Sequence, residues 1–467
     1  MTEPEHTEPN TGGVPHSKPL LHPSFSNHSM LASKLETLRI GLTPCANMLR
    51  YWHIPRAFAN LPITMTAESN SSMLAKWRSD TPGTGHRVHL NNAGAALMPS
   101  PVTDACKSHL DLESEIGGYE ASDAKSNEIS SVYSDLGRLI GARPENIAVV
   151  ANATAGFVQA MSSFDFEPGD VIVTTRADYT SYQITFLSLA ERLGVVVRHA
   201  EDLPEGGVDP DSVRELARDP ACRLVHVSWV PTHSGLIQDV EGVGGVCDEL
   251  GIPYLVDACQ AVGQIPIDVE RLKCDYLTAT ARKFLRGPRG IGFMYASDKA
   301  LGRGDHPLFV DMRGAKWVAA DRYEIAKTAM RYEDWEFPYA LVLGLGAAAR
   351  YALSVGIETA SERSFALAAR LRERLAALPG VRVLDGGTRK CAIVTASFAD
   401  RHAREIVSEL KRHRINTTAS LGWYGLLDFT EKRVDSALRI SPHYYNTEEE
   451  TDRAIDTISE HLRASAG

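Results

Sequence analysis

Between residues 146 and 258, short runs rich in β-branched residues alternate with amphipathic stretches, and this alternation restricts the fold more than any other feature of the chain. The runs are NIAVV (146–150), VIVTT (171–175), VVVRH (195–199), RLVHVSWV (223–230) and YLVDA (254–258). They are almost continuously apolar, which suits strands covered on both faces, as in a parallel sheet flanked by helices. SYQITFLSLAERLG (181–194) and VEGVGGVCDELG (240–251) supply such helices, the second ending on a glycine fit for a C-cap. The pattern predicts an α/β fold. Beyond about residue 340, LVLGLGAAARYALSVG, SERSFALAARLRERLAAL, short strands and a last helix predict a smaller α+β C-terminal domain. The expected boundaries are an N-terminal extension at 1–85, a large domain at 86–340 and a small one at 341–467.

Residues 1 to about 28 are rich in Pro, His, Ser, Thr and Glu and are expected to be mobile; Leu31, Leu35, Leu38 and Leu42 then recur at helical spacing. Internal methionines at 65 and 73 offer alternative natural starts. No apolar run is long enough to span a membrane, and the acidic beginning is unlike a signal peptide, so neither export nor anchoring is expected. A net charge of −10 argues against nucleic acid or an anionic membrane as target and favours small-molecule chemistry. The seven cysteines form no C-x-x-C pair, so no metal site or disulfide framework is expected, and a reducing, cytoplasmic compartment is.

In sheets of this kind ligands collect at the carboxyl ends of strands. ANATAG (151–156) follows NIAVV with small residues and a helix start, whose free N–H groups suit a phosphate; Thr154 there serves equally as a plain N-cap. In LVDACQAVGQIPIDV, Asp257 closes an apolar strand, with Gln260 three residues on. A buried carboxylate needs a partner, and a pyridinium N–H, a metal ion or a helix N-terminus would each serve. Lys283, in YLTATARKFLRGPRGIGFMY, lies after a strand-like run and before a Gly/Pro turn. That is the setting of a Schiff-base lysine, fixed at a strand end with a depressed pKa. Thr280 and Arg282 beside it are candidate phosphate contacts. DYTSY (178–182) offers Tyr179, either against a flat cofactor ring or as packing.

Together these motifs resemble the pyridoxal 5′-phosphate (PLP)-dependent class V aminotransferase family of fold type I, which contains cysteine desulfurases, kynureninases and isopenicillin N epimerases. The resemblance runs from HLNNAGAALMPSPV (89–102) to SPHYYNTEEETDRAI (441–455). It implies a large domain with a mostly parallel seven-stranded sheet, PLP on Lys283, Asp257 at the pyridine nitrogen, Gln260 near the ring hydroxyl, and Tyr179 stacked where many relatives have His. It also implies phosphate contacts from Ala153, Thr154 and Thr280, and a carboxylate clamp at Arg439 in LRISPHYYNT. The planar fork of Arg binds a carboxylate bidentately. Asn92, Trp229 and His233 are expected on the substrate side, although His233 reads equally as a hydrogen-bonding loop residue. A homodimer with its active site at the subunit interface and a small amino-acid substrate complete what the resemblance implies.

Within the family, cysteine desulfurases present a nucleophilic Cys shortly before the carboxylate-binding Arg. The matching stretch here, NTTASLGWYGLLDFTEKRVDSALRIS (416–441), has none, and Cys391 falls in a strand pattern. RKFLRGPRGIGF (282–293), RYEDWEFPYALVLGLGAA (331–348) and RISPHYYNTEEE (439–450) are more similar to ergothioneine-pathway C–S lyases and to enzymes of cysteine S-conjugates in lincosamide biosynthesis. The chain departs from desulfurases at WEFP (335–338), where they have a Gly-Thr pair reaching the neighbouring subunit's phosphate, and at Trp229, where they often have Asn. The expected reaction is α,β-elimination from a cysteine S-conjugate. Decarboxylation with oxidative deamination, epimerisation and transamination are alternatives on the same site, and a non-enzymatic scaffold is the alternative outside catalysis. Trp229, Tyr182, Trp335 and Tyr444 are candidate pocket aromatics that serve equally as core.

Overall fold

The computed structural model describes residues 67–464. The expectations for residues 1–66 lie outside the described residues. A seven-stranded sheet is built by β1 (Ile147–Val150), β2 (Val171–Thr175), β3 (Val196–Ala200), β4 (Cys222–Ser228), β5 (Tyr254–Asp257), β6 (Tyr276–Thr280) and β7 (Gly292–Ala296). Their spatial order is β1-β7-β6-β5-β4-β2-β3. Every pair from β6 across to β3 is parallel, while β7 runs antiparallel to both its neighbours. β1, β2, β5, β6 and β7 are buried throughout, which is why their sequences lack polar alternation.

Helices α1 (Ala153–Met161), α2 (Thr180–Leu193) and α3 (Val240–Leu250) follow β1, β2 and β4. The glycine ending α3, Gly251, is left-handed at φ 71°, as its position in the sequence predicts. Alternate side chains of the sheet pack on opposite faces: Leu224 and Leu255 join Phe157 and Phe186, whereas Val225, Val227 and Val256 join the larger core on the other side.

A second sheet, antiparallel and four-stranded, has the order β8-β9-β11-β10, from β8 (Val381–Val383), β9 (Val394–Phe398), β10 (Thr418–Leu421) and β11 (Ser436–Ile440). Between the sheets run two long helices, Tyr339–Val355 and Ile357–Ala376, bent by 78° at Gly356, the first packed on Ser100–Ile116 and Ser126–Ile140. Among the described residues no single helix is long and apolar enough to cross a membrane.

After β6 the chain makes a tight excursion, residues 281–291, closed by Gly287 N–H donating to the Ala281 carbonyl (2.8 Å). Arg286 anchors it from inside the protein at φ 62°, donating to the Leu97 carbonyl (2.9 Å), Tyr444 Oη (2.5 Å) and Thr81 Oγ1 (2.6 Å). Gly263, at φ 90°, lies so close to this excursion that a Cβ there would overlap the Phe284 carbonyl. Gly263→Ala therefore strains its own backbone and displaces the Lys283 turn. The expected loss is about 2 kcal/mol or more, read by chemical denaturation, and an unchanged midpoint would contradict the packing described.

Candidate active site

The strand register brings the site together. Ser228 pairs with Asp257 and Asp257 with Thr278, so β4 and β5 end at one level and β6 runs two residues further, to Thr280. The Asp257 carboxylate, 5% exposed, accepts from Cys259 N–H (2.9 Å) and Ser228 Oγ (3.4 Å). Lys283, 8% exposed, places its amine 6.0 Å from the Tyr179 ring centroid. Burial holds the Lys283 amine below the usual lysine range, and the nearby Cys259 and Asp257 offset only part of that. Its lone pair is thus more available than that of a solvated lysine.

These groups line a cavity of about 290 Å³, together with Ala153, Thr154, Gln260, Thr280 and Arg282. All eight residues expected at a cofactor therefore face one space, close in size to the lower end of small-molecule sites, ~300–1,000 Å³. The start of α1 belongs to this lining. Its N-cap is Asn152, whose side chain accepts from Ala155 N–H (3.0 Å), which leaves Thr154 in the first turn rather than capping it. Arg282 donates to the Gly94 carbonyl, and its guanidinium is held below its ordinary pKa by burial and then by the charge of Arg289, a further lining residue. The helix N-terminus and the two lining arginines give the cavity an anion cradle.

Gln260 donates to the Ala93 carbonyl and Thr232 Oγ1 (both 3.2 Å), while its own Oε1 is buried without a partner. Arg439 is not itself part of the lining but is bonded to the lining residue Thr232: it donates to Thr232 O (2.9 Å) and Oγ1 (3.0 Å) and to Asn91 Oδ1 (3.3 Å), and its Nε has no partner. No carboxylate pairs with it among the described residues. Burial, then the charge of Arg282, pushes its pKa down to about 10. A buried guanidinium neutralised by no acid is a site for an incoming anion.

Three expected substrate-side residues lie elsewhere. The Asn92 side chain is spent on packing: it donates to the His89 and Ser441 carbonyls and accepts from Tyr445 Oη (2.5 Å), leaving Asn91 to reach Arg439. Trp229 follows Ser228 on the next position of the extended chain and packs in the core of the opposite sheet face with Val227 and Val256. His233 is buried against Phe429, 3.5 Å from Asp428, and lines no part of the cavity. Of the aromatics, Tyr182 lines the cavity, Trp335 borders a separate surface groove and Tyr444 is bonded to Arg286. Cys391 lies just before β9 and is buried. Sequence reasoning passed over Asn152, Thr232, Cys259 and Arg289. Asn152, Thr232 and Cys259 each neighbour a residue singled out in the sequence, and Arg289 lies in the Gly/Pro turn that follows Lys283.

The sequence profile of the family described as Aminotransferase class-V matches residues 88–454. A probable cysteine desulfurase of Pyrococcus abyssi is 25% identical over 397 residues, 83% of this chain and 97% of the relative. The solved cysteine desulfurase CsdA of Escherichia coli superposes with a TM-score of 0.77 at 22% identity, covering 84% of this chain and 98% of its own. The cystine C–S lyase C-DES, solved with its reaction product cysteine persulfide, gives 0.73 at 22% identity, covering 81% and 99%. These likenesses establish the fold.

Three histidines around the site are buried and neutral. Burial lowers His89 and His233 to about 4 and His443 to about 3. An unfolded chain takes up these protons near 6.5, so stability is full above that value and is lost as pH falls toward 4. The thermal midpoint should fall as pH drops from roughly 7 to 5, and a flat profile would contradict the burial of these rings.

Proposed function

The chain belongs to the class-V aminotransferase family, and on that premise we propose that this PLP-dependent enzyme cleaves the C–S bond of a cysteine S-conjugate by α,β-elimination. The residues fit the cofactor. The cavity offers an anion cradle for its phosphate, a buried carboxylate for its ring nitrogen, an unpartnered amide oxygen at its side, and a lysine whose amine burial keeps reactive. When bound, PLP supplies an electron sink for charge developing at the amino acid's Cα. Asp257 would hold the ring nitrogen and keep it protonated. Arg439 would hold the substrate α-carboxylate and so orient the bonds at Cα. Lys283 Nζ takes up the Cα proton. The bond from Cβ to sulfur then breaks with its electron pair leaving on sulfur. With one water consumed, the products are a thiol, pyruvate and ammonia; an S-oxidised substrate gives a sulfenate instead.

The observation that carries elimination over persulfide transfer is the segment before Arg439. It holds no cysteine and is folded, with a short 3-10 helix (Gly422–Gly425) and a helix (Leu426–Lys432) between β10 and β11. It is pinned by Thr180 Oγ1 donating to the Tyr424 carbonyl (2.6 Å). Among the described residues Cys259 is the one cysteine lining the cavity, and burial, reinforced by Asp257, pushes its thiol far up, so it stays protonated. The six described cysteines are all unpaired, which supports a reducing, cytoplasmic setting.

We read the working form as a homodimer. Phe309, Trp317 and Trp335 are 82%, 78% and 49% exposed along the segment 308–338, and large apolar side chains left open to water in one chain suit an interface with a second copy. Light scattering should give twice the mass of the 51.0 kDa chain, and a single-chain mass would contradict this.

Incubation with a cysteine S-conjugate should yield pyruvate and thiol in equal amounts, and Lys283→Ala should lower kcat by roughly 10²–10⁴-fold or more. Alanine with protein-bound persulfide, or an aldehyde with carbon dioxide, would overturn the elimination.

A further inference from the structure

The turn that carries Tyr179 is held by a buried carboxylate. Asp178, 2% exposed, stands three residues past the end of β2 and receives four donors. They are the Thr174 hydroxyl, Thr175 N–H (3.3 Å), Ser228 N–H (2.5 Å) and His226 Nδ1 (3.1 Å). Two come from β2 and two from β4, so one side chain ties the carboxyl ends of adjacent parallel strands. His226 has no room to turn away: Phe157, Tyr182 and Phe186 surround it edge-on, with centroids at 5.3, 5.0 and 5.5 Å. Its Nε2 has no partner, so its polar commitment is to Asp178 alone. Burial raises the Asp178 pKa, and the charge of His226 with the remaining donors outweighs it, leaving the group below the usual carboxylate range.

The next residue completes the connection. Tyr179 N–H donates to Ser228 Oγ (3.2 Å), and the same hydroxyl lies 3.4 Å from Asp257 Oδ2. Asp178 fixes the main chain of Ser228, and Ser228 fixes Tyr179 on one side and touches Asp257 on the other. Among the described residues the Tyr179 side chain makes no hydrogen bond: around it are the edge of Tyr182 (5.4 Å between centroids), the Lys283 amine and the charge of Arg282.

We propose that Asp178 is a positioning residue which, through Ser228, sets the plane of Tyr179 against the cofactor ring. This rests on the reading of the cavity as a PLP site. A misplaced ring loses stacking that depends on its offset and separation from its partner. Asp178→Asn keeps the shape of the side chain but removes the charge and turns one acceptor into a donor facing other donors. Asp178 acts through Tyr179, so its loss should matter only while Tyr179 is present.

The test is a double-mutant cycle on cofactor affinity, measured by equilibrium dialysis, with the visible absorbance of the bound cofactor as a second readout. Asp178→Asn should weaken binding about 10-fold and shift the band, whereas the same change in a Tyr179→Ala background should cost less than about 2-fold. Should Asp178→Asn fail to fold by circular dichroism, Thr174→Val removes one donor and is expected to show the same non-additivity at smaller size. Equal losses in both backgrounds, or no loss in the wild type, overturn the proposal and leave the PLP site standing. A wild-type chain that binds no cofactor overturns both.

Discussion

A lysine amine buried at the end of a parallel sheet is the constraint around which the rest of the molecule is arranged. Taking an ammonium out of water costs several kcal/mol in real proteins, so the group must find a partner or give up its proton. Lys283 does part of each: burial depresses its pKa, and Asp257 recovers some of the charged form. The position is tolerable because the turn bearing it is fixed from outside the cavity. The buried Arg286 guanidinium ties that turn to Thr81, Leu97 and Tyr444, and His443 Nε2 meets the Phe284 carbonyl at 2.8 Å. Segments more than 150 residues apart in sequence thus hold one amine in place.

The same geometry sorts the charges of the cavity. Arg282 and Arg289 line it, Arg439 is bonded to the lining residue Thr232, and Asp257 is the one acid of the lining. Such an excess of fixed positive charge over negative suits a ligand that brings anions at both ends and a basic nitrogen between them, as the cofactor and an amino acid together do. Arg439, left without a carboxylate of its own among the described residues, suits the proposed role of holding the substrate's.

The large sheet and its ligand-bearing edge were legible in the sequence because parallel strands buried on both faces lose their polar residues except where they end. Ile147–Val150, Val171–Thr175 and Tyr254–Asp257 follow the runs read from the sequence within a residue. What escaped was information carried by the third dimension. Trp229 belongs to the same apolar run as Ser228, and only strand alternation assigns it to the far face of the sheet. Asn91 and Asn92 are adjacent and chemically identical, yet Tyr445, 353 residues away, decides which of them is spent on packing. Nothing local to Asp178 announces that four donors from two strands converge on it. The helix Ser100–Ile116 and the hairpin of Ala315–Ala319 with Arg322–Ile325 were unread because their apolar faces are weak and partly exposed.

The central claim is that Lys283, and no other lysine, carries the cofactor. Borohydride reduction of the holoenzyme followed by peptide mass spectrometry tests it directly, since reduction locks a lysine-bound PLP onto its residue. The account predicts one modified peptide, the one containing Lys283, and its absence from Lys283→Ala. Modification of a different lysine in the wild type, or a cofactor that reduction never attaches to the chain, would contradict it.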